Sequence, residues 1–260
     1  MDVRSLGYRT DLMIRELEGS RITDHGDHLV VRTPGNPDYW WGNFLLLASP
    51  PPAGEAAKWI AAFAAEFPDA RHVTLGVDVT EAGVVDEAEL VAEGFAVERS
   101  SVLTARSVHE PPRPNEDANF RELSGDADWR QAAELRAVVT AGTPGSDPRF
   151  LSARIAAERA LTEAGHGSWF GAFLGGRLIA QLGLVTDGSG IARYQNVESH
   201  PKARRKGLAG SLVWQAGVRG LDAGADTLVI VADPDDIAIG VYRSVGFADA
   251  ETQVGFERHP

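Results

Sequence analysis

The sequence predicts an α/β protein, of the α+β type, built from two similar units. Three observations carry this reading. Strand-like runs of β-branched and aromatic residues alternate with amphipathic helical runs along the whole chain. A polar, proline-rich segment, Ser107 to Asn119, divides the chain near its middle. Both parts close on the same order of helix, Gly-Phe and polar-rich strand, with Gly94-Phe95 and Gly246-Phe247 lying 152 residues apart. The expected organisation is a first domain over residues 1–106, a linker over 107–118 and a second domain over 119–260.

In the first part, His28 to Arg32 is a short strand. TPGNPD is a turn, dense in the residues that favour tight backbone reversals. Tyr39 to Ala48 is expected as an aromatic and leucine-rich strand, stopped by Ser49-Pro50-Pro51-Pro52. A helix follows over AGEAAKWIAAFAAEF, with Trp59, Ile60, Phe63, Ala64 and Phe67 on one face. Val73 to Val79 is a strand, Val84 to Glu93 a short helix ended by Gly94, and Phe95 to Ala105 a strand.

The linker has three prolines in four residues and is expected to be extended and exposed. Beyond it, Phe120 to Leu123 is a short strand. Asp126 is expected to cap a helix whose Trp129, Ala132, Ala133, Leu135, Val138 and Val139 form a broad apolar face. Gly142 to Pro148 breaks it, and Phe150 to Glu163 is a second helix. Trp169 to Leu174 and Arg177 to Val185 form a hairpin around Gly175-Gly176. Ile191 to Ser199 is the third strand of this meander. Leu208 to Leu221 is a helix, Thr227 to Val231 a buried strand, Asp235 to Ser244 a helix and Ala248 to Phe256 a last strand.

Composition narrows the function. The chain has 260 residues, 43% hydrophobic and 24% charged, as soluble globular proteins do. Its longest apolar runs are about five residues, against about 20 for a membrane-spanning helix, so no membrane span is expected. The N-terminus lacks the apolar stretch of a signal peptide. The absence of cysteine excludes disulfides, thiolate metal sites and cysteine nucleophiles, and fits a cytoplasmic protein. The net charge is −12, with 18 acids and 9 bases in residues 1–110 and 19 acids and 16 bases in the rest. That excess argues against nucleic-acid partners. It serves solubility, and it also suits a cationic substrate.

The segment VESHPKARRKGLAG, Val197 to Gly210, carries the chemistry. It reads strand, proline-marked turn, basic residues, glycine, helix. A helix start presents unpaired amides and the positive end of the helix dipole. Gly207 and Ala209 are small enough for a ligand to approach the backbone, and Arg204, Arg205 and Lys206 add cationic charge. The combination is an anion site suited to pyrophosphate. It is neither a Walker loop nor a GxGxxG fingerprint.

Here the sequence resembles the GNAT superfamily of acyl-CoA-dependent N-acetyltransferases. Arg204-Arg205-Lys206-Gly207-Leu208-Ala209 fits that family's cofactor loop, Arg/Gln-x-x-Gly-x-Gly/Ala. Arg243 to Ala248 fits the same short pattern, but between a helix and a strand, the wrong context for a phosphate cradle. Asp235, Ala238, Val241, Tyr242, Gly246 and Phe247 fit the family's closing motif, with Asp235 in place of its usual asparagine. A carboxylate does not donate as an amide does, so the role of that position is open.

The resemblance implies two units, each a twisted mixed sheet flanked by helices, the first a degenerate copy without a cradle. It implies acetyl-CoA as co-substrate and no metal. Backbone groups at Val197 and Ser199 would hold the pantetheine and thioester between parallel strands. The loop from Arg204 to Ala209, Leu208 included, would hold the pyrophosphate, with Asp235 nearby. Direct attack by an amine is implied, with Tyr242 as the acid for the leaving thiolate. Glu198 is the candidate base; an outward, solvated glutamate, His200 or a water chain are the alternatives. The acceptor expected is a primary amine of a small molecule or peptide, and the oligomeric state a monomer or homodimer. A non-catalytic acyl-CoA-binding regulator is the rival function. Tyr39, Trp40, Trp41, Trp59 and Phe63 either line an acceptor pocket or form core.

Overall fold

The computed structural model describes residues 1–143 and 146–259. Its elements in order are α1 (Leu6–Leu17), β1 (Arg21–Asp24), β2 (His28–Arg32), β3 (Phe44–Leu47), α2 (Ala56–Glu66), β4 (Val73–Val77), α3 (Ala88–Ala92) and β5 (Ala96–Ala105). The chain continues with β6 (Asn119–Glu122), α4 (Gly125–Val139), α5 (Pro148–Glu163), β7 (Gly167–Leu174), β8 (Arg177–Thr186) and β9 (Ile191–Ser199). It ends with α6 (Leu208–Asp222), β10 (Thr227–Ala232), α7 (Ala238–Arg243) and β11 (Ala248–Arg258). Two residues of the expected break at 142–148, Pro144 and Gly145, lie outside the described residues.

The chain forms two compact units, Met1–Val102 with Ala250–Pro260, and Leu103–Asp249. The division differs from the expected one at both ends. The C-terminal strand leaves the second unit for the first, and the end of β5 (Leu103 and Ala105) is buried in the second unit's core.

The first unit is a mixed sheet in the order β1-β2-β3-β4-β11-β5. β3 and β4 run parallel, whereas β2 pairs antiparallel with β3 and β11 antiparallel with β4. Trp59 and Phe63 of α2 pack with Leu45, Leu75, Val77 and Phe256, so these two aromatics are core. The sequence showed no helix at α1, because the buried face of this helix carries Thr10 and Arg15 among Tyr8, Leu12 and Ile14. Arg15 is ion-paired with Glu18. The strand expected from Tyr39 starts later: Trp40–Gly42 is a 3₁₀ turn and pairing begins at Phe44. The reason is Asn43, whose amide donates to the carbonyls of Asn36 and Tyr39 (3.0 and 2.9 Å) and accepts from the Thr33 amide (3.0 Å). These bonds curl the chain before the sheet begins.

The second unit is a mixed sheet in the order β10-β9-β8-β7-β6. β6 to β9 are antiparallel, and β9 and β10 are parallel. α6 and α7 cover one face, over a core of Leu182, Leu184, Tyr194, Leu212, Val213 and Phe247. α4 and α5 pack against each other and against β7, β8 and β9 on the other face. The cap position of α4 is Ser124 rather than Asp126; the Ser124 amide donates to Asp128 Oδ2 at 2.9 Å. The segment 107–118 is largely exposed, as expected, but it is anchored within this unit: Pro111 is buried, and the Asn115 amide donates to Ser211 Oγ at 2.9 Å.

Candidate active site

The site begins where two parallel strands stop pairing. β9 and β10 are in register only over Ile191–Arg193 and Thr227–Val229. β9 then continues to Ser199 and β10 to Ala232, without further ladder pairs to each other. Val197 and Ser199 are half-buried along this gap, and Val197 packs against the core on the α6 side. Tyr194 Oη donates to the Val213 carbonyl at 2.8 Å, tying β9 to α6 just before the strands diverge.

β9 carries a bulge at the same place. Its register with β8 shifts between Gln181↔Glu198 and Gly183↔Gln195, and Asn196 has φ 49°. One extra residue in a strand reverses which face the later side chains take. Ala192 and Tyr194 point to the α6 core. After the bulge, Val197 takes that face and Glu198 turns to the face of α4 and α5.

The loop after β9 makes a 3₁₀ turn at Pro201–Ala203 and then starts the 15-residue helix α6. Arg205 and Gly207 have φ of 62° and 77°, the left-handed conformation for which glycine has no steric cost. Arg204, Arg205 and Lys206 are exposed, Leu208 is buried and Ala209 is half-buried. The first-turn amides of α6 have no intrahelical partners. One expectation is corrected here. The close neighbour at Gly207 is the chain itself, since a Cβ there would stand 2.3 Å from the Arg113 carbonyl oxygen. Asn115 reinforces this contact, with Nδ2 donating to the Lys206 carbonyl at 2.8 Å. The segment 113–115 thus braces the loop on one side.

Tyr242, on α7, is 5% exposed and packs in the α6-side core. Its hydroxyl makes no hydrogen bond among the described residues. Burial, with a smaller effect from Asp236, pushes its phenol up to about 12. Asp235 is exposed in the turn before α7, its amide donating to Asp233 Oδ1 at 2.9 Å. The helix expected from Asp235 starts at Ala238.

Glu198 is nearly buried rather than outward and solvated. Gln181 Nε2 donates to its Oε2 at 2.8 Å, and Arg136 Nε is ion-paired with its Oε1. The other two nitrogens of Arg136 donate to the carboxylate of Glu158, Nη1 to Oε1 at 3.0 Å and Nη2 to Oε2 at 3.2 Å. Asn196 Nδ2 also donates to Glu158 Oε1, at 2.8 Å. Burial pushes the Glu158 carboxyl above the usual carboxylate range, against the pull of Arg136 and Arg154. For Arg136 the two carboxylates outweigh burial and hold the guanidinium protonated. Gln181 Oε1 is buried without a hydrogen-bond partner among the described residues.

The second unit therefore contains every residue expected in the site. Val197 and Ser199 line the strand gap, and 204–209 form the loop at its end. Glu198 lies on the opposite face of the sheet from Val197. Arg136, Glu158, Gln181, Asn196 and Asn115 were not expected. The available signal was Arg136 on the buried stripe of Trp129, Ala132 and Leu135, and Glu158 on that of Ile155 and Leu161. His200 spends its Nδ1 on the Lys202 amide at 3.2 Å. Among the described residues, no group of His, Asp and Glu is arranged to hold a metal ion, and no helix is long and apolar enough to cross a membrane.

A splayed parallel strand pair, a bulged strand and a glycine-started helix define a class. Residues 133–247 match the model of the acetyltransferase (GNAT) family. No curated protein matches the chain. Among solved structures, it is similar to a functionally unknown conserved protein from Staphylococcus epidermidis, with TM-score 0.69 and 13% identity over 91% of this chain and 92% of that one. It is similar to a GCN5-related N-acetyltransferase from Kribbella flavida, with TM-score 0.63 and 17% identity over 98% and 96%. A tandem GNAT protein from the clavulanic acid biosynthesis pathway aligns with TM-score 0.57 and 14% identity over 95% and 87%. These likenesses show the fold, a mixed sheet flanked by helices. The family supports acyl transfer as the general chemistry.

Proposed function

We propose that this protein transfers an acetyl group from acetyl-CoA to a primary amine of a small molecule or peptide. The observation that carries the reading is the gap between β9 and β10 ending at the 204–209 loop. Backbone along Val197 and Ser199 faces the gap, and cations and free helix amides stand at its end, which suits a pantetheine followed by a pyrophosphate. Acetyl-CoA would supply an activated thioester there. The hydroxyl of Tyr242 has no hydrogen-bond partner among the described residues, which leaves its proton for such a ligand to accept.

Glu198 takes a proton from the acceptor ammonium, because an alkylamine is mostly protonated near neutral pH. Its place on the α4 and α5 face separates it from the α6-side core. Tyr242 donates to the leaving sulfur. A phenol at about 12 against a thiol near 8.5 makes full transfer uphill by about 5 kcal/mol. Tyr242 therefore serves as a hydrogen-bond donor whose proton moves late, a weaker acid than an ordinary tyrosine near 10. Release of free CoA from acetyl-CoA across an amine panel tests the reading. Calorimetric binding of acetyl-CoA with no release for any amine returns the non-catalytic regulator, and no binding removes both.

The tandem arrangement is proposed as well, with the first unit a degenerate copy. Residues 21–105 and 167–258 each follow the order of three antiparallel strands, helix, parallel strand, short helix and long strand. Cytoplasmic location, and a monomer or homodimer, complete the proposal.

A further inference from the structure

The residues around Glu198 form a connected device. Asn196 holds a left-handed backbone, a conformation that residues with a Cβ adopt at a cost. Without that bulge Glu198 would face α6. The Asn196 side chain is anchored at 2.8 Å to Glu158, which is 1% exposed on α5. Arg136 on α4 grips Glu158 with two nitrogens and meets Glu198 with the third. One guanidinium thus joins the carboxylate that pins the bulge to the carboxylate that the bulge delivers.

A buried ion pair adds little stability over apolar residues of similar volume. What this one supplies is geometry. We propose that Arg136, Glu158 and Asn196 are positioning residues for Glu198. The inference rests on the reading of Glu198 as the base.

The test uses full-length variants, with CoA release from acetyl-CoA as the rate, to a responsive amine or to water. Glycine adopts the Asn196 backbone without an anchor, whereas alanine does not. Asn196→Ala is expected to lower kcat at least tenfold, and Asn196→Gly to recover it to within about threefold. Equal losses in the two overturn the role of the bulge. Arg136→Lys keeps the charge but loses the planar fork. It is expected to lower kcat about tenfold, leave acetyl-CoA affinity within twofold, and displace the Glu198 carboxylate from Gln181 in a crystal structure. In a Glu198→Gln background the same change is expected to have less than a twofold effect, because residues that act through one group are non-additive. Additive losses, or an unmoved Glu198 in the Arg136→Lys crystal, overturn the positioning role. Glu198→Gln with full kcat overturns the base reading instead, and the crystal result still decides the positioning.

Discussion

Residues 21–105 and 167–258 share one run of elements, three strands, helix, strand, short helix and long strand, and differ where the parallel strand pair of each run ends. In the second unit, β9 and β10 part after Arg193 and Val229, and α6 starts at a left-handed glycine behind three cations. In the first, β3 and β4 stay in register through Leu47↔Val77, the last residues of both strands. The helix between them, α2, starts after Glu55, and its neighbourhood already holds an anion. Glu89 accepts from the Gly54 amide at 2.8 Å and the Ala56 amide at 3.2 Å. Counting back from Gly94 and Gly246, Glu89 matches Val241 and Leu90 matches Tyr242. Val241, on α7, likewise sits beside the start of α6, near Gly210. An apolar residue there leaves the helix amides to a ligand, and a carboxylate there satisfies them. The comparison teaches that a carboxylate of the chain itself satisfies amides at one helix start, whereas cations surround the other.

The largest expected effect tests the Tyr242 side of that contrast. Tyr242→Phe should lower kcat about 100-fold, the lower end for a positioned acid, while acetyl-CoA affinity stays within twofold. Steady-state kinetics with calorimetry check it. Full kcat in an assay limited by chemistry makes Tyr242 equivalent to Leu90, a packing residue.

Gly207→Glu comes next. It puts a Cβ against the Arg113 carbonyl, strains a backbone at φ 77° and brings a negative charge beside the cationic loop. Acetyl-CoA binding should weaken at least tenfold, about 1.4 kcal/mol. Unchanged affinity in a folded variant would place the pyrophosphate elsewhere.

Glu89→Gln sharpens the other side. Removing the charge at the α2 start should cost about 1 kcal/mol of stability, the usual worth of an anion at a helix N-terminus. Denaturant unfolding measures it. Pyrophosphate should stabilise the variant against heat more than it stabilises the parent. Equal shifts would show that Glu89 is not what closes that helix.

The smallest effect is a pH dependence in the second unit. Hydrogen bonding from Arg121, then from the Ser124 amide, outweighs burial and holds Asp128 below the usual carboxylate range. Its contribution is present above the ordinary aspartate value of about 4 and is lost as pH falls through its lower folded value. Asp128→Asn should therefore cost about 0.5–1 kcal/mol at neutral pH and nothing at the acid end. A stability difference that is flat with pH would assign Asp128 to packing alone.

The sequence by itself determined the elements that depend on local pattern. The bounds of β9 were legible as Ile191 to Ser199, and the start of α6 at Leu208, because a glycine and a run of bases punctuate them. The loop 204–209 and Tyr242 were legible because their spacing is fixed within one strand-turn-helix and one short helix. α1 was not, since a buried Arg15 breaks the apolar stripe that periodicity relies on. Tertiary structure alone decided the rest. The face taken by Glu198 depends on one left-handed residue, Asn196, which no alternation reveals. Its partners come from α4 and β8, and Arg136 in turn meets Glu158 on α5, so this cluster was not legible until three elements met. The last strand, β11, joins the first unit because antiparallel pairing with β4 satisfies its backbone there. Local sequence sets what a segment becomes; which distant backbone or charge completes it is a long-range choice that only the assembled fold makes.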